Sequence, residues 1–366
     1  MVDLVGIFRE VRDPRQPNAR HDLGDMLFVS LAAMLCGAKT CVELAEFASD
    51  RLDELRQIVD LRHGAPSHDT FSRVFRLLDP EELIWAFRAC LAQVRESLNL
   101  PEPSGVVALD GKSLRRAYDK GRVNMPAMMV GVFDTQTRLS IAHGRAIGGG
   151  EIDAGQALLK GLSLKGCTVT ADALHCTNAT AAAIRTAKAH YALTLKKNRR
   201  ELWEEAGAAF EAAGEGAPSY ETRQADHGRT ELRRASVLSA KHMKRTFDFP
   251  DLVAVGRIEA ERSAGDRTMR SVRYVLLSKS LNPQKLLEVV REHWAIENQL
   301  HWPLDVVFDE DDARSRKDYA PENLAVIRRI ALNLLTTHPA QGTVGRKMRR
   351  ASWDISFFFQ LFAQMR

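Results

Sequence analysis

Cysteine is scarce in this 366-residue chain: Cys36, Cys41, Cys90, Cys167 and Cys176 are odd in number and show no CxxC spacing. That excludes a disulfide scaffold and a thiolate metal cluster, and points to reduced thiols in a cytoplasmic protein. Long apolar runs are also missing. The longest, MLFVSLAAMLCGA at 26–38, is too short to span a bilayer, and the opening MVDLVGIFREVRDPRQP has no apolar signal region, so no membrane role is expected. Hydrophobic residues nonetheless make up 45% of the chain, enough for one large core or two to three ordinary ones.

Acidic charge is what the later part lacks. Residues 1–100 hold 12 Lys/Arg against 16 Asp/Glu, whereas residues 101–366 hold 40 against 31. The surplus gathers in KKNRR (196–200), KHMKR (241–245) and GRKMRR (345–350). Each run suits phosphate neutralisation or an ordinary solvated face, and together they favour a nucleic-acid partner.

What is present divides the chain by period. Residues 20–98 read as helices broken at Gly37, at 63–66 and at Asp79-Pro80. In PSHDTFSRVFRLL, Ser67 or Asp69 suits a helix N-cap. Arg73 and Arg76 then lie on the exposed face of a nucleic-acid-reading helix or of a plain bundle helix. NLPEPSG at 99–105 is a linker. Beyond it, VVALD, AMMVGVFD and LSIAHGRA read as strands, followed by DAGQALLKGL (helix), CTVTAD (strand), NATAAAIRTAKAH (helix) and YALTLK (strand). This βββαβαβ order predicts a mixed α/β sheet flanked by helices. Alternating runs between 219 and 280 predict further antiparallel strands. In DHGRTELRR, His227, Arg229, Glu231 and Arg233 share a strand face that contacts DNA or simply faces water.

Three carboxylates stand out against this frame. Asp110 closes VVALD and Asp172 closes TVTAD; on parallel neighbouring strands they would share one sheet edge, close enough to share metal ions. Asp172 also suits a helix N-cap, and Asp110-Gly111 a hairpin turn. REHWAIENQLHW (291–302) reads as a helix that puts His293, Glu297 and His301 on one face, with Ile296 and Leu300 as the anchoring stripe.

ALDGKSLR, VTADALHCTN, YALTLKKNRREL and HWAIENQLHWPLDVVFDEDDARSR closely resemble insertion-sequence transposases with an Asp-Asp-Glu core, in the H-repeat-associated branch. The likeness covers nearly the whole chain, including DPRQPNARHDLGDML and the helices after it. It implies an RNase H-like fold, with residues 1–98 as a helical end-recognition domain. The core would span 105–200 and 282–366, and an all-β insertion 201–281. It implies Asp110, Asp172 and Glu297 as catalytic residues and as ligands of two Mg²⁺ ions, with Mn²⁺ as substitute. The wider group carries a Tyr-x2-Arg-x3-Glu-x6-Lys signature around the Glu. Val290, His293 and Leu304 occupy those Tyr, Arg and Lys positions here, so the signature's DNA-gripping role does not transfer.

The resemblance further implies a DNA transposase that cuts element ends and joins their 3′-OH to target DNA. The alternatives are an RNase H-like nuclease without strand transfer and an inactive DNA-binding relic. Terminal inverted repeats and target DNA are the expected partners, in a nucleoid-associated assembly of at least two copies. Candidate DNA contacts are Lys112, His293, Trp294, Asn298, His301, Lys196, Lys197, Arg199, Arg200 and Arg229. Trp294 either stacks on a base or lies buried beneath the metals, and His293 and His301 bond the carboxylates or a phosphate. The apolar tail ASWDISFFFQLFAQMR either docks on the helical core or pairs two copies.

Overall fold

The structure, a computed structural model, describes residues 3–117, 127–146, 150–226, 229–264 and 267–363. The chain opens with α1 (Leu4–Arg9), α2 (Leu23–Leu35), α3 (Cys41–Asp50), α4 (Leu52–Leu55), α5 (His68–Leu77) and α6 (Pro80–Ser97). The helix starts are written in short polar side chains. Asp22, Thr40, Ser67 and Asp79 accept backbone N–H bonds in the first turns of α2, α3, α5 and α6, and Glu43 completes a capping box with Thr40. Ser67, rather than Asp69, is therefore the cap of α5.

After the linker come β1 (Val106–Leu114), β2 (Ala127–Asp134), β3 (Leu139–Ala146), α7 (Glu151–Lys160), β4 (Thr168–Ala171), α8 (Asn178–Thr186) and β5 (His190–Leu195). β1 pairs antiparallel with β2 and parallel with β4, and β4 pairs parallel with β5. Next follow α9 (Arg200–Ala213), β6 (Ser219–Asp226), β7 (Arg229–Ser239), α10 (Lys241–Phe247), β8 (Ala254–Ala264) and β9 (Arg267–Leu277). These later strands continue the same sheet, because β9 pairs antiparallel with β5. The result is nine strands in the order β3-β2-β1-β4-β5-β9-β8-β7-β6. The chain then runs through α11 (Pro283–His293), a π-helical turn (Glu297–His301), α12 (Trp302–Val306), α13 (Ala320–Thr337), α14 (Val344–Trp353) and α15 (Ile355–Ala363).

Alternation along β1 separates two cores. Val107 and Leu109 face a core shared with α7, α8 and α9, while Ala108 faces the core built by α1–α6 and α13–α15. The tail belongs to that second core. Phe357, Phe358 and Leu361 are buried, the Phe28 and Phe362 rings stand 5.0 Å apart, and Phe358 packs 6.2 Å from Phe47. Each buried Phe contributes about 1.5–3 kcal/mol, so docking accounts for the tail's apolar density. Trp353 remains exposed. Among the described residues no helix is long and apolar enough to cross a membrane.

Candidate active site

β1 does not end at Asp110 but runs on to Leu114, whereas β4 stops at Ala171. The register pairs Leu109 with Ala171, so Asp110 and Asp172 stand at the next level of two parallel neighbours, about 4.8 Å between strands. Asp110 is thus held by a continuous strand beside an open gap. Asp172 Oδ1 accepts the Leu174 N–H at 2.9 Å, while Thr177 caps α8; Asp172 is not a helix cap.

The expected straight helix carrying His293, Glu297 and His301 is corrected. α11 stops at His293, and the backbone widens into a π-turn from Glu297 to His301 before α12. Pro303 supplies the reason: it has no N–H to offer the carbonyl one turn back, and its ring crowds that carbonyl, so the ladder opens ahead of it. Ile296 and Leu300 are buried and anchor the turn. Leu300 reaches down to Gly131, the cross-strand partner of Asp110; a Cβ there would meet Leu300 Cδ2 at 3.5 Å.

The π-turn brings His301 Nδ1 to 3.6 Å from Glu297 Oε2 and 3.7 Å from Asp110 Oδ2. One ligand atom from each of Asp110, Glu297 and His301 lies within 4.8 Å of the others. Burial, then the Glu297 charge, push the Asp110 carboxyl up to about 7; Asp172 and Glu151 add to this and the Gly111 N–H opposes it. Burial, with Arg329 and Lys112 nearby, pushes His301 down to about 4, so its imidazole is neutral near pH 7 and keeps a lone pair for a cation. His293 is pushed down to about 4 by burial, and its Nδ1 lies 3.0 Å from Thr170 Oγ1 on β4. It ties the end of α11 to the sheet rather than facing a phosphate.

Lys112, expected at DNA, is also corrected. Two residues beyond Asp110 on the same strand face, it is buried, with Nζ 2.6 Å from Asp305, 2.9 Å from Asp311 and 3.5 Å from Glu310. Burial alone would lower its pKa, but these carboxylates more than offset that and raise it. Fully buried Glu310 also binds Arg329 at 3.0 Å. This network fastens the segment after the π-turn to the strand that carries Asp110.

The other candidate contacts are scattered. Lys196, Lys197 and Arg200 are exposed beyond β5, with Lys197 over the Trp203 ring and Arg200 paired to Glu204 at 2.7 Å. Arg199 donates to Asn178. Lys347, from the third basic run, is buried and donates to the Leu335 and His338 carbonyls. Arg229 opens β7, but its side chain and all of His227 lie outside the described residues. Trp294 is 46% exposed, so it is not buried beneath the site.

Trp294 and Asn298 divide two clefts. One, of about 470 Å³, is lined by Arg233, Arg262, Arg270, Arg273 and Arg291; the other, of about 860 Å³, by Arg138, Lys279 and Lys285. The Arg273 guanidinium lies 5.6 Å over the Trp294 ring. Most of these arginines escaped sequence reasoning. The alternation in the 254–277 strands was visible, but which face meets α11 depends on a hairpin register that spacing does not reveal.

Residues 101–334 match the family described as "Transposase DDE domain", and residues 5–91 match "DDE_Tnp_1-associated". The chain belongs to the insertion-sequence DDE transposases. This transposase is 31% identical over 365 residues to the "H repeat-associated putative transposase YhhI" of Escherichia coli (strain K12), covering 96% of each chain, which places it in that branch. It is 32% identical over 282 residues to the "Uncharacterized protein in dhlA 3'region" of Xanthobacter autotrophicus, covering 75% of this chain and 94% of that protein. Against a solved piggyBac transposase synaptic complex with hairpin DNA, the TM-score is 0.44 at 14% identity. That alignment covers 99% of this chain and 78% of that one, and the likeness is too slight to build on.

Proposed function

We propose that this transposase cuts the ends of an insertion element and joins the freed 3′-OH to target DNA by in-line phosphoryl transfer, with Asp110, Asp172 and Glu297 as its catalytic carboxylates. The observation that carries this reading is the meeting of Asp110, Glu297 and His301 from β1 and the π-turn, beside the point where β4 ends and Asp172 follows. Hard oxygen donors beside a neutral imidazole fit divalent cations, Mg²⁺ or Mn²⁺ in its place, and Asp110, Asp172 and Glu297 would hold two of them. Bound there, such ions supply the Lewis acidity that activates the attacking oxygen and stabilises the leaving one. The protein's own contribution is rigid placement of the ligands, and no covalent protein intermediate is needed.

The clefts either side of Trp294 give a DNA strand a route past Glu297, with guanidinium groups for phosphates and the half-exposed indole for a base. The β3-β2-β1-β4-β5 order supports an RNase H-like core in 105–200 and 282–366, interrupted by 201–281. Residues 1–98 are assigned to end recognition, where α5 presents Arg73 beside Arg20 in a cleft lined by no carboxylate. Each chain holds one Asp-Asp-Glu set, so joining two ends calls for at least two copies.

The test is strand joining in vitro. A duplex carrying the element's terminal repeat with a pre-cut 3′-OH, a supercoiled plasmid and Mg²⁺ should yield plasmid-linked product. Nicking without joining would leave a nuclease, and absence of both with intact Asp110, Asp172 and Glu297 would leave a DNA-binding relic.

A further inference from the structure

A fourth carboxylate and a second buried histidine lie beneath the site, on the far face of the sheet. Gly111, next to Asp110, faces α7 by the alternation of β1. A Cβ added at Gly111 would stand 2.5 Å from Glu151 Cδ, so the Glu151 carboxylate rests directly on this stretch of backbone. Glu151 is in the first turn of α7 and 14% exposed. One turn along the same helix face is Gly155, where a Cβ would meet His175 Cε1 at 2.9 Å and Leu109 Cδ2 at 3.3 Å. Two glycines thus leave room for one acid and one imidazole.

His175 sits three residues after Asp172 and is fully buried. Its Nε2 lies 3.3 Å from Glu151 Oε1, off the line of a good hydrogen bond, and its ring nitrogens have no hydrogen-bond partner among the described residues. Burying an imidazole this way costs free energy. The pair spans the gap left where β4 ends, linking the loop that carries Asp172 to the strand that carries Asp110. On the opposite face, the Lys112 network ties the segment of Glu297 to that strand.

We propose that Glu151, backed by His175, is a positioning carboxylate of the metal centre, holding the Asp172 loop against β1 so that Asp110 and Asp172 meet the same cation. This rests on the metal centre proposed above. Outer-shell partners of metal ligands typically change metal affinity by about 10–100-fold when removed, and Glu151 belongs to that class.

Calorimetric titration of the full chain with Mn²⁺, without DNA, tests it. Glu151→Gln should weaken Mn²⁺ binding by about 10–100-fold, Glu151→Asp by less, and the Mg²⁺ concentration for half-maximal end cleavage should rise in parallel. Gly111→Ala is the second probe: its methyl would displace only the flexible tip of Glu151, on the face away from the ligands, and should weaken Mn²⁺ binding in the same direction. If both variants bind Mn²⁺ like the parent, whatever their melting temperatures, the pair is a fold-stabilising contact and the inference fails. Asp110→Asn separates the two levels. Lost Mn²⁺ binding there with unaltered Glu151→Gln sinks this inference alone, whereas parent-like binding in Asp110→Asn sinks the metal centre and the inference together.

Discussion

One sheet runs through two different environments. Its inner strands are sealed on both faces: Val107, Ala108, Leu109, Val169 and Leu193 are all 0% exposed. Its outer strands run out into water: along β9 residues 267–272 are exposed and Tyr274–Leu277 buried, while β7 and β8 keep only stretches such as Ala235–Val237 and Ala254–Val255 buried. Charges follow the same division. On the outer strands Arg234–Glu221, Arg262–Glu231 and Arg270–Glu261 form exposed cross-strand pairs at 2.6–2.9 Å, each worth about 0–1 kcal/mol. Inside, Lys112 is committed to three carboxylates. The same backbone ladder therefore fixes the carboxylates proposed as metal ligands at one end and leaves exposed, loosely paired guanidinium groups at the other.

The largest effect should come from the immobile end. Asp110→Asn, Asp172→Asn and Glu297→Gln should each abolish Mg²⁺-dependent strand cleavage while end-DNA binding in a gel-shift assay is retained. Near-normal cleavage by any one of them removes that residue from the site.

Lys112→Met should come next, because it takes a cation from buried Glu310, which keeps Arg329, and from the half-buried Asp305 and Asp311; losing charge-assisted hydrogen bonds of this kind costs about 1.5–3 kcal/mol. A urea melt should show a loss of that order. A change below about 0.5 kcal/mol, the usual surface range, would make Lys112 equivalent to the outer cations and erase the contrast.

Arg262→Ala and Arg270→Ala should leave the urea midpoint nearly unmoved. Each should weaken binding to DNA of any sequence and reduce the slope of log affinity against log salt by about one. Unchanged slopes in both would route DNA elsewhere.

The smallest effect is on the melting temperature of metal-free protein as pH varies. The Asp110 carboxyl is raised from 3.8 to about 7, so between those values the folded state holds a proton that the unfolded chain has lost. Stability from this group is therefore present at low pH and lost as pH rises through 7. Asp110→Asn should melt a few °C above the parent at pH 8, with the advantage shrinking as pH falls from 7 towards 4. Adding Mg²⁺ should raise the parent's melting temperature and not the variant's. An advantage independent of pH would mean that Asp110 is well solvated.

The inner sheet was legible in the sequence because buried strands are short apolar runs, and Asp172 does follow the end of its strand, but Asp110 stands inside β1, which runs on to Leu114 through residues too polar to read as a buried strand. Glu297 was legible as a residue but not in its setting, since the π-turn is a response of the backbone to Pro303 that a 3.6-residue period does not encode. Lys112 looked like a phosphate contact because its partners, Asp305, Glu310 and Asp311, lie far along the chain. Nothing local marks their return. Glu151 and His175 were invisible for a related reason: an acid in a first helical turn is ordinary, and only Gly111 and His175, brought to it by the fold, make it specific.

The contact between Phe28 and Phe362 also sets an order in time. The helical core that opens the chain is completed by aromatic residues made about 330 positions later. At roughly 5–20 residues per second, the first helices wait some tens of seconds on the ribosome with an apolar face uncovered. A chain cut short before α15 leaves that face open for good, so prematurely terminated copies should be targets for chaperones and proteases rather than stable competitors for the element's ends.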